Sequence, residues 1–221
     1  MPEPLTDTAQ RLQSLRGRMR ERGWQAVLVP TSDPHLSEYL PDHWQGRQWL
    51  SGFTGSSGTL LVGQDAAALF TDSRYWEQAE AELTDTGVAL VKLDGPASPA
   101  YAQWLAQQHP ELTAGGTLCE PPRLAVDAQV LGLAAMAPLR DALSLQGWQL
   151  QAVDDVLQGL WPDRPPLPQA PVYEHLPPHA ATPRSAKLEQ VRTAMAQRGA
   201  THHWVATLDD LAWLLNLRGA D

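Results

Sequence analysis

Cysteine is almost missing from this chain of 221 residues. Cys119 stands alone, so no internal disulfide can close and no four-cysteine zinc site can form. Basic charge is scarce as well. Sixteen Lys and Arg stand against 25 Asp and Glu, a formal net charge of −9. A nucleic-acid partner, which needs a basic face, is therefore not expected. The one dense basic stretch, Arg11, Arg16, Arg18, Arg20 and Arg22, interleaves with an apolar helical stripe and reads as a solvated helix face. No apolar run approaches the roughly 18–20 residues that span a bilayer. Met1-Pro2-Glu3-Pro4 lacks the charged-then-apolar order of a signal peptide. With 43% apolar and 19% charged residues the composition is that of a globular chain. The expectation is a cytoplasmic protein of one to two domains with no membrane contact.

Motifs of familiar chemistry are missing too. The seven histidines (His35, His43, His109, His175, His179, His202, His203) form no HExxH pair and no close set with carboxylates. His202 and His203 are adjacent in an expected strand, so they point to opposite faces. Gly55-Ser56-Ser57-Gly58 is not the GxSxG turn of a serine nucleophile. Gly52, Gly55 and Gly58 match neither phosphate-binding glycine pattern and read instead as a tight entry into a hairpin. Cys119 falls in an expected strand and reads as a small core residue.

What the chain does contain is part of itself twice. Leu12, Leu15, Met19, Arg22 and Gly23 recur as Leu188, Val191, Met195, Arg198 and Gly199, each 176 residues on. The offset persists through Val29/Val205, Thr31/Thr207 and Asp33/Asp209. It then becomes 164 at Trp49/Trp213, Leu50/Leu214 and Gly55/Gly219. Twelve residues are thus inserted in the first copy between Asp33 and Trp49. About 110 residues follow Gly55 before a proline-rich stretch begins, but two follow Gly219. The expectation is one whole domain plus the opening of a second, related one.

Periodicity predicts the elements. Asp7 to Glu21 reads as a helix stopped by Gly23, and Gln25 to Val29 as a buried strand ending at Pro30. Thr31 to Arg47 reads as a long loop with a short helix near Ser37 to Leu40. Thr59–Val62 and Ala66–Phe70 flank Gly63-Gln64-Asp65 as a hairpin. Asp72 or Ser73 is expected to cap a helix to Leu83. Strand 88–93, helix 98–108, strands 117–120 and 124–127, helix 129–143 and strand 148–153 follow, with a short closing helix over 154–160. This alternation predicts an α/β fold with a mixed sheet flanked by helices. Pro162 to Arg184 holds eight prolines and reads as a linker, with a boundary near Pro165. Thr182 and Pro183 then open a helix, 202–206 a strand, and Thr207 a last helix with Leu208, Leu211, Ala212 and Leu215 on one face.

One segment displays chemistry. In Thr71-Asp72-Ser73-Arg74-Tyr75 a strand gives way to a helix, which exposes side chains. Arg74 has a fixed charge and a planar fork suited to a carboxylate or a peptide carbonyl. Taken alone, a salt bridge to Asp72 or Glu77 together with a helix cap is the better explanation, since surface ion pairs are commoner than sites.

A family resemblance enters at these residues. Ser51-Gly52-Phe53-Thr54-Gly55-Ser56-Ser57-Gly58-Thr59 and Phe70-Thr71-Asp72-Ser73-Arg74-Tyr75 resemble the N-terminal domain of Xaa-Pro aminopeptidases. Ser32-Asp33-Pro34-His35-Leu36-Ser37-Glu38-Tyr39 and Trp161-Pro162-Asp163-Arg164-Pro165 are similar to the long, three-domain form. Residues 208–221 resemble the signature of its second domain. The resemblance implies a creatinase-type N-terminal domain (1–165), a linker (166–184) and the beginning of a second such domain (185–221). It implies too that the catalytic pita-bread domain lies outside this segment. It further implies a parent enzyme that removes the N-terminal residue from peptides with proline second. Two divalent metals, usually manganese, serve that chemistry, and none of their ligands has a matching position in this segment. The full-length protein would be a homodimer. The resemblance also implies that Arg74 contacts the substrate, that Asp72 and Tyr75 support it, and that the loop Ser32 to Tyr39 lines the entrance. Two other readings remain open here: a stand-alone binding module of this fold, and part of a prolidase or creatinase-like hydrolase.

Overall fold

The computed structural model describes residues 7–108 and 120–219. Its core is a six-stranded sheet built from β1 (Ala26–Pro30), β2 (Thr59–Gly63), β3 (Ala67–Asp72), β4 (Ala89–Leu93), β5 (Arg123–Asp127) and β6 (Gln149–Val153). The order across the sheet is β4-β3-β2-β1-β5-β6. β2 runs antiparallel to both of its neighbours, while β3/β4, β1/β5 and β5/β6 are parallel. The sheet is mixed, as expected, because a hairpin sits at its centre.

Alternation along each strand sorts side chains onto two covered faces. Val27, Val29, Leu60, Val62 and Leu69 face one side. There they meet Leu12, Leu15 and Met19 of α1 (Asp7–Arg22), Leu50 of α2 (Gly46–Ser51) and Ala79 of α3 (Trp76–Glu82). Ala26, Leu28, Leu61, Phe70, Leu124 and Val126 face the other. They pack on Tyr101, Trp104 and Leu105 of α4 (Ala97–Gln108) and on Leu139 and Leu143 of α5 (Leu133–Leu145). Being buried on both faces explains why β1, β2 and β3 read as unbroken apolar runs. Among the described residues no helix is long and apolar enough to cross a membrane.

Several expectations need correction. No helix forms over 37–40. A 3-10 turn over Asp42–Trp44 and the short α2 take its place, and six residues leave no apolar period to detect. Neither Asp72 nor Ser73 is the N-cap of α3. That position is Tyr75, and the Asp72 carboxylate accepts the Arg74 N–H one turn earlier, at 3.1 Å. α5 begins after an Asp127 turn, in which Oδ1 accepts the Gln129 N–H at 2.8 Å. Residues 154–160 form turns, not a helix, with Gly159 left-handed at φ 70°. Of the expected strand 117–120 only Glu120 is described, and it lies in a bend. Cys119 and His109 lie outside the described residues.

Beyond the sheet come β7 (Tyr173–Glu174), α6 (Arg184–Gln197), α7 (Leu208–Leu215) and β8 (Leu217–Arg218). β7 lies within the proline-rich stretch and pairs antiparallel with β8. Helix α6 starts one residue later than expected, with Pro183 at the N-cap. Residues 202–206 are not a strand, because no neighbouring strand among the described residues offers them a ladder. The start of the proline-rich stretch is clamped to the first unit. The Arg164 guanidinium pairs with Asp155, its Nε donates to the His43 carbonyl at 2.9 Å, and His43 Nδ1 meets the Pro165 carbonyl at 2.7 Å.

The sequence repeat is a structural repeat in its details. Gly23 and Gly199 both stop their helices in the left-handed region, at φ 67° and 66°. Trp24 N–H returns to the Met19 carbonyl and Ala200 N–H to the Met195 carbonyl, both at 2.9 Å. In the first copy Arg11 donates to the Trp49 carbonyl at 2.8 Å and lies 5.1 Å from the centre of that indole. Lys187, 176 residues on, donates to the Trp213 carbonyl at 2.6 Å and lies 4.5 Å from its indole. Each cation satisfies a carbonyl that the helix end leaves without an intrahelical partner. The left-handed C-caps are Gly52 and Asn216, 164 residues apart. The copies differ in cover: Leu12, Leu15 and Met19 are buried, whereas Leu188, Val191 and Met195 are half-buried.

Candidate functional site

Strand register puts the candidate site at one edge of the sheet. Pro30 pairs with Thr59 and Thr59 with Phe70, so β1 and β3 end where β2 begins. The loop 53–58 enters β2 there, the turn 72–75 leaves β3, and the loop 32–39 leaves β1. Three tethers join them. Thr31 N–H donates to the Gly58 carbonyl at 3.0 Å, Thr31 Oγ1 to the same carbonyl at 2.7 Å, and Thr71 Oγ1 to the Ser57 carbonyl at 2.7 Å.

On this edge Arg74 forms a two-pronged pair with Asp72. Its Nε reaches Asp72 Oδ1 and its Nη2 reaches Asp72 Oδ2, both at 2.8 Å. The Arg74 guanidinium also lies 5.3 Å from the centre of the Tyr75 ring. Tyr75 is itself held, with its hydroxyl 2.6 Å from Ser56 Oγ. The Arg74 side chain nonetheless remains 68% exposed, with unspent N–H donors. Hydrogen bonding from Arg74 lowers the Asp72 carboxyl to about 2, and the same pair holds the guanidinium above its ordinary value. Both groups are charged at any physiological pH. Glu77, the other partner considered for Arg74, is not the one it takes.

Underneath sits a residue that sequence reasoning missed. Arg47, on α2, is only 2% exposed. Its Nε donates to Thr31 Oγ1 at 2.8 Å, its Nη1 to the Phe53 carbonyl at 2.6 Å, and its Nη2 to the Gly55 carbonyl. Burial lowers its pKa to about 10, opposed by Glu82 and Tyr75, so it stays protonated at neutral pH. The Arg47 guanidinium lies 4.8 Å from the centre of the Phe53 ring, and Phe53 meets Tyr75 edge-on at 6.1 Å. Two arginines therefore bracket an aromatic pair, in the order Arg47, Phe53, Tyr75, Arg74. From α3, Glu82 accepts the Thr54 N–H at 2.8 Å and the Thr54 hydroxyl at 2.6 Å. A signal for Arg47 was present in the repeat: at offset 164 its counterpart is Leu211, so a charge stands where the sister copy is apolar.

A family model for the creatinase/prolidase N-terminal domain matches residues 11–160, and a second with the same description matches residues 163–221. The chain belongs to the creatinase/prolidase N-terminal domain family. It is similar to the probable Xaa-Pro aminopeptidase P of Pyricularia oryzae, at 36% identity over 217 residues, which is 97% of this chain and 34% of that protein. The Metarhizium acridum protein of the same name is 35% identical over 220 residues, 98% of this chain and 34% of its own length. The crystal structure of X-prolyl aminopeptidase from Caenorhabditis elegans, described as a cytosolic enzyme with a di-nuclear active site, superposes with a TM-score of 0.82. It is 28% identical and covers 97% of this chain and 35% of that one. The chain thus spans about a third of the length of these relatives and is homologous to the N-terminal region of Xaa-Pro aminopeptidase P.

Membership accounts for the α/β fold and for the resemblance seen in residues 51–59 and 70–75. Among the described residues no three His, Cys, Asp or Glu side chains gather into a group that could hold a metal ion. Among the described residues there is therefore no donor set for a di-nuclear centre of the kind named for the Caenorhabditis elegans enzyme. The loop 32–39 is built around Asp33, whose Oδ1 accepts the N–H groups of His35 and Ser37, both at 2.9 Å. His35 Nδ1 lies 3.0 Å from the Ala206 carbonyl, which ties this loop to the second copy.

Proposed function

We propose that this chain is the non-catalytic N-terminal part of a metal-dependent Xaa-Pro aminopeptidase and shapes the substrate site of a catalytic domain in the same protein. The substrates are peptides with proline in second position. The parent enzyme uses two divalent ions, manganese being the expected metal, works in the cytoplasm and assembles as a homodimer. Arg74 contributes the substrate contact, and Asp72 and Tyr75 hold it in place. The observation that carries this reading is an arginine gripped on two sides yet exposed on the third. Such a group is already ordered, so it loses little side-chain entropy when it donates to a carbonyl or carboxylate.

Two outcomes are expected. The purified 221-residue chain with added Mn²⁺ releases no amino acid from a proline-second peptide, and measurable turnover would sink that part of the reading. In the full-length protein, Arg74→Ala lowers kcat/KM on a pentapeptide roughly tenfold or more, the loss of one charge-assisted hydrogen bond. It affects an Xaa-Pro dipeptide, too short to reach Arg74, much less. Equal losses on both substrates, or none, would refute the contact.

A further inference from the structure

The geometry points to Arg47 as the positioning residue for Arg74, acting through Phe53 and Tyr75; this rests on the substrate contact proposed for Arg74. The chain of contacts is continuous. The fork of Arg47 fixes two carbonyls of the loop 53–58, at Phe53 and at Gly55. The face of the same guanidinium lies against the Phe53 ring, whose neighbour across an 89° edge contact is Tyr75. Tyr75 then carries Arg74 on its own face.

Nothing in this column has room to slip. A Cβ at Gly55 would stand 2.3 Å from Phe53 Cζ and 2.7 Å from Tyr75 Cδ1, so the backbone of the pinned loop touches both rings. Glu82 holds Thr54 of the same loop. A buried guanidinium whose three hydrogen bonds all go to uncharged acceptors is a costly way to close a loop. An apolar side chain is the cheaper occupant of a buried position, and Leu211 stands at offset 164 in the second copy. Lysine cannot reproduce the arrangement either, because a point charge has no fork to span Thr31, Phe53 and Gly55 together.

The test is a double-mutant cycle in the full-length protein, read as the ratio of pentapeptide to dipeptide kcat/KM. A purely structural defect lowers the amount of active protein and leaves this ratio alone. Arg47→Met is expected to lower the ratio about five- to tenfold, the scale of one displaced charge-assisted hydrogen bond. In an Arg74→Ala background the same substitution is expected to leave the ratio unchanged, since the group being positioned is gone. A wild-type ratio for Arg47→Met while Arg74→Ala lowers it overturns the positioning role and leaves the substrate contact standing. An unchanged ratio for Arg74→Ala itself overturns both. Should Arg47→Met fail to fold, Arg47→Lys decides: a ratio lowered a few-fold supports the role, and a wild-type ratio overturns it.

Discussion

Phe70→Ala is expected to destabilise the sheet unit by about 3–5 kcal/mol, the range for deleting a fully buried aromatic side chain. Phe70 is 1% exposed and belongs to the buried cluster on the sheet face opposite α1. It makes edge contacts with Tyr101 at 4.9 Å and with Trp104 at 6.2 Å. Truncation removes both ring contacts and leaves a cavity walled by β-strands on one side and α4 on the other. The sheet wall cannot collapse inward, because strand spacing is set by the ladder hydrogen bonds, and α4 is held out by the other side chains packed beneath it. Urea unfolding followed by tryptophan fluorescence measures the loss. A decrease below about 1 kcal/mol would mean that α4 relaxes onto the sheet, contrary to this account. Phe70→Leu, which refills most of the volume, should recover more than half of it.

Gly55→Val is expected to cost at least about 2–3 kcal/mol, at or above the upper end for overpacking. The reason is space, not backbone conformation: the added carbon meets two rings well inside van der Waals contact. Ordinarily a ring tip yields. Here Phe53 is stacked on Arg47 and Tyr75 is tied to Ser56, so both would have to abandon a partner. The same substitution should therefore release the Tyr75 hydroxyl and leave Arg74 less ordered. Thermal unfolding gives the first effect, as a midpoint lowered by several degrees. The Arg74 Nε–H resonance gives the second, through faster exchange with water. A Gly55→Val protein with wild-type midpoint and wild-type exchange would show that the column is looser than its contact distances state.

The elements legible in the sequence were those whose burial leaves a period. Leu12, Leu15 and Met19 announced α1, and the hairpin around Gly63 to Asp65 announced the mixed sheet. What escaped lacked either a period or a partner. Helix α2 is too short to show an apolar face, and it is held by Arg47 and by Ser51 Oγ donating back to the Arg47 carbonyl at 2.8 Å. Residues 202–206 have the composition of a strand, but strand formation is a property of pairs, and no neighbour is present among the described residues. At the site, Arg74 was legible because a strand-to-helix junction displays its side chains. Its two-pronged grip by Asp72 was one of two partners the spacing allowed, with Glu77 the other. Arg47 was hidden because a lone arginine reads as surface until its burial is known. Only the mismatch with Leu211 betrays it.

The paired helix-end contacts have a chemical consequence. Arg11 and Lys187 do the same job, yet only one of them is a primary amine. The chain has two lysines, Lys92 and Lys187. Lys92 has a side chain 47% exposed, in a surface pair with Glu80, while Lys187 is 7% exposed beneath an indole and held by Trp213 and Asn216. Amine-directed acylation reaches Lys92 in the folded protein, but it reaches Lys187 only when α6 and α7 part. The rate at Lys187 relative to Lys92 is then a direct gauge of opening in the less covered half of the repeat, independent of the sheet unit that precedes it.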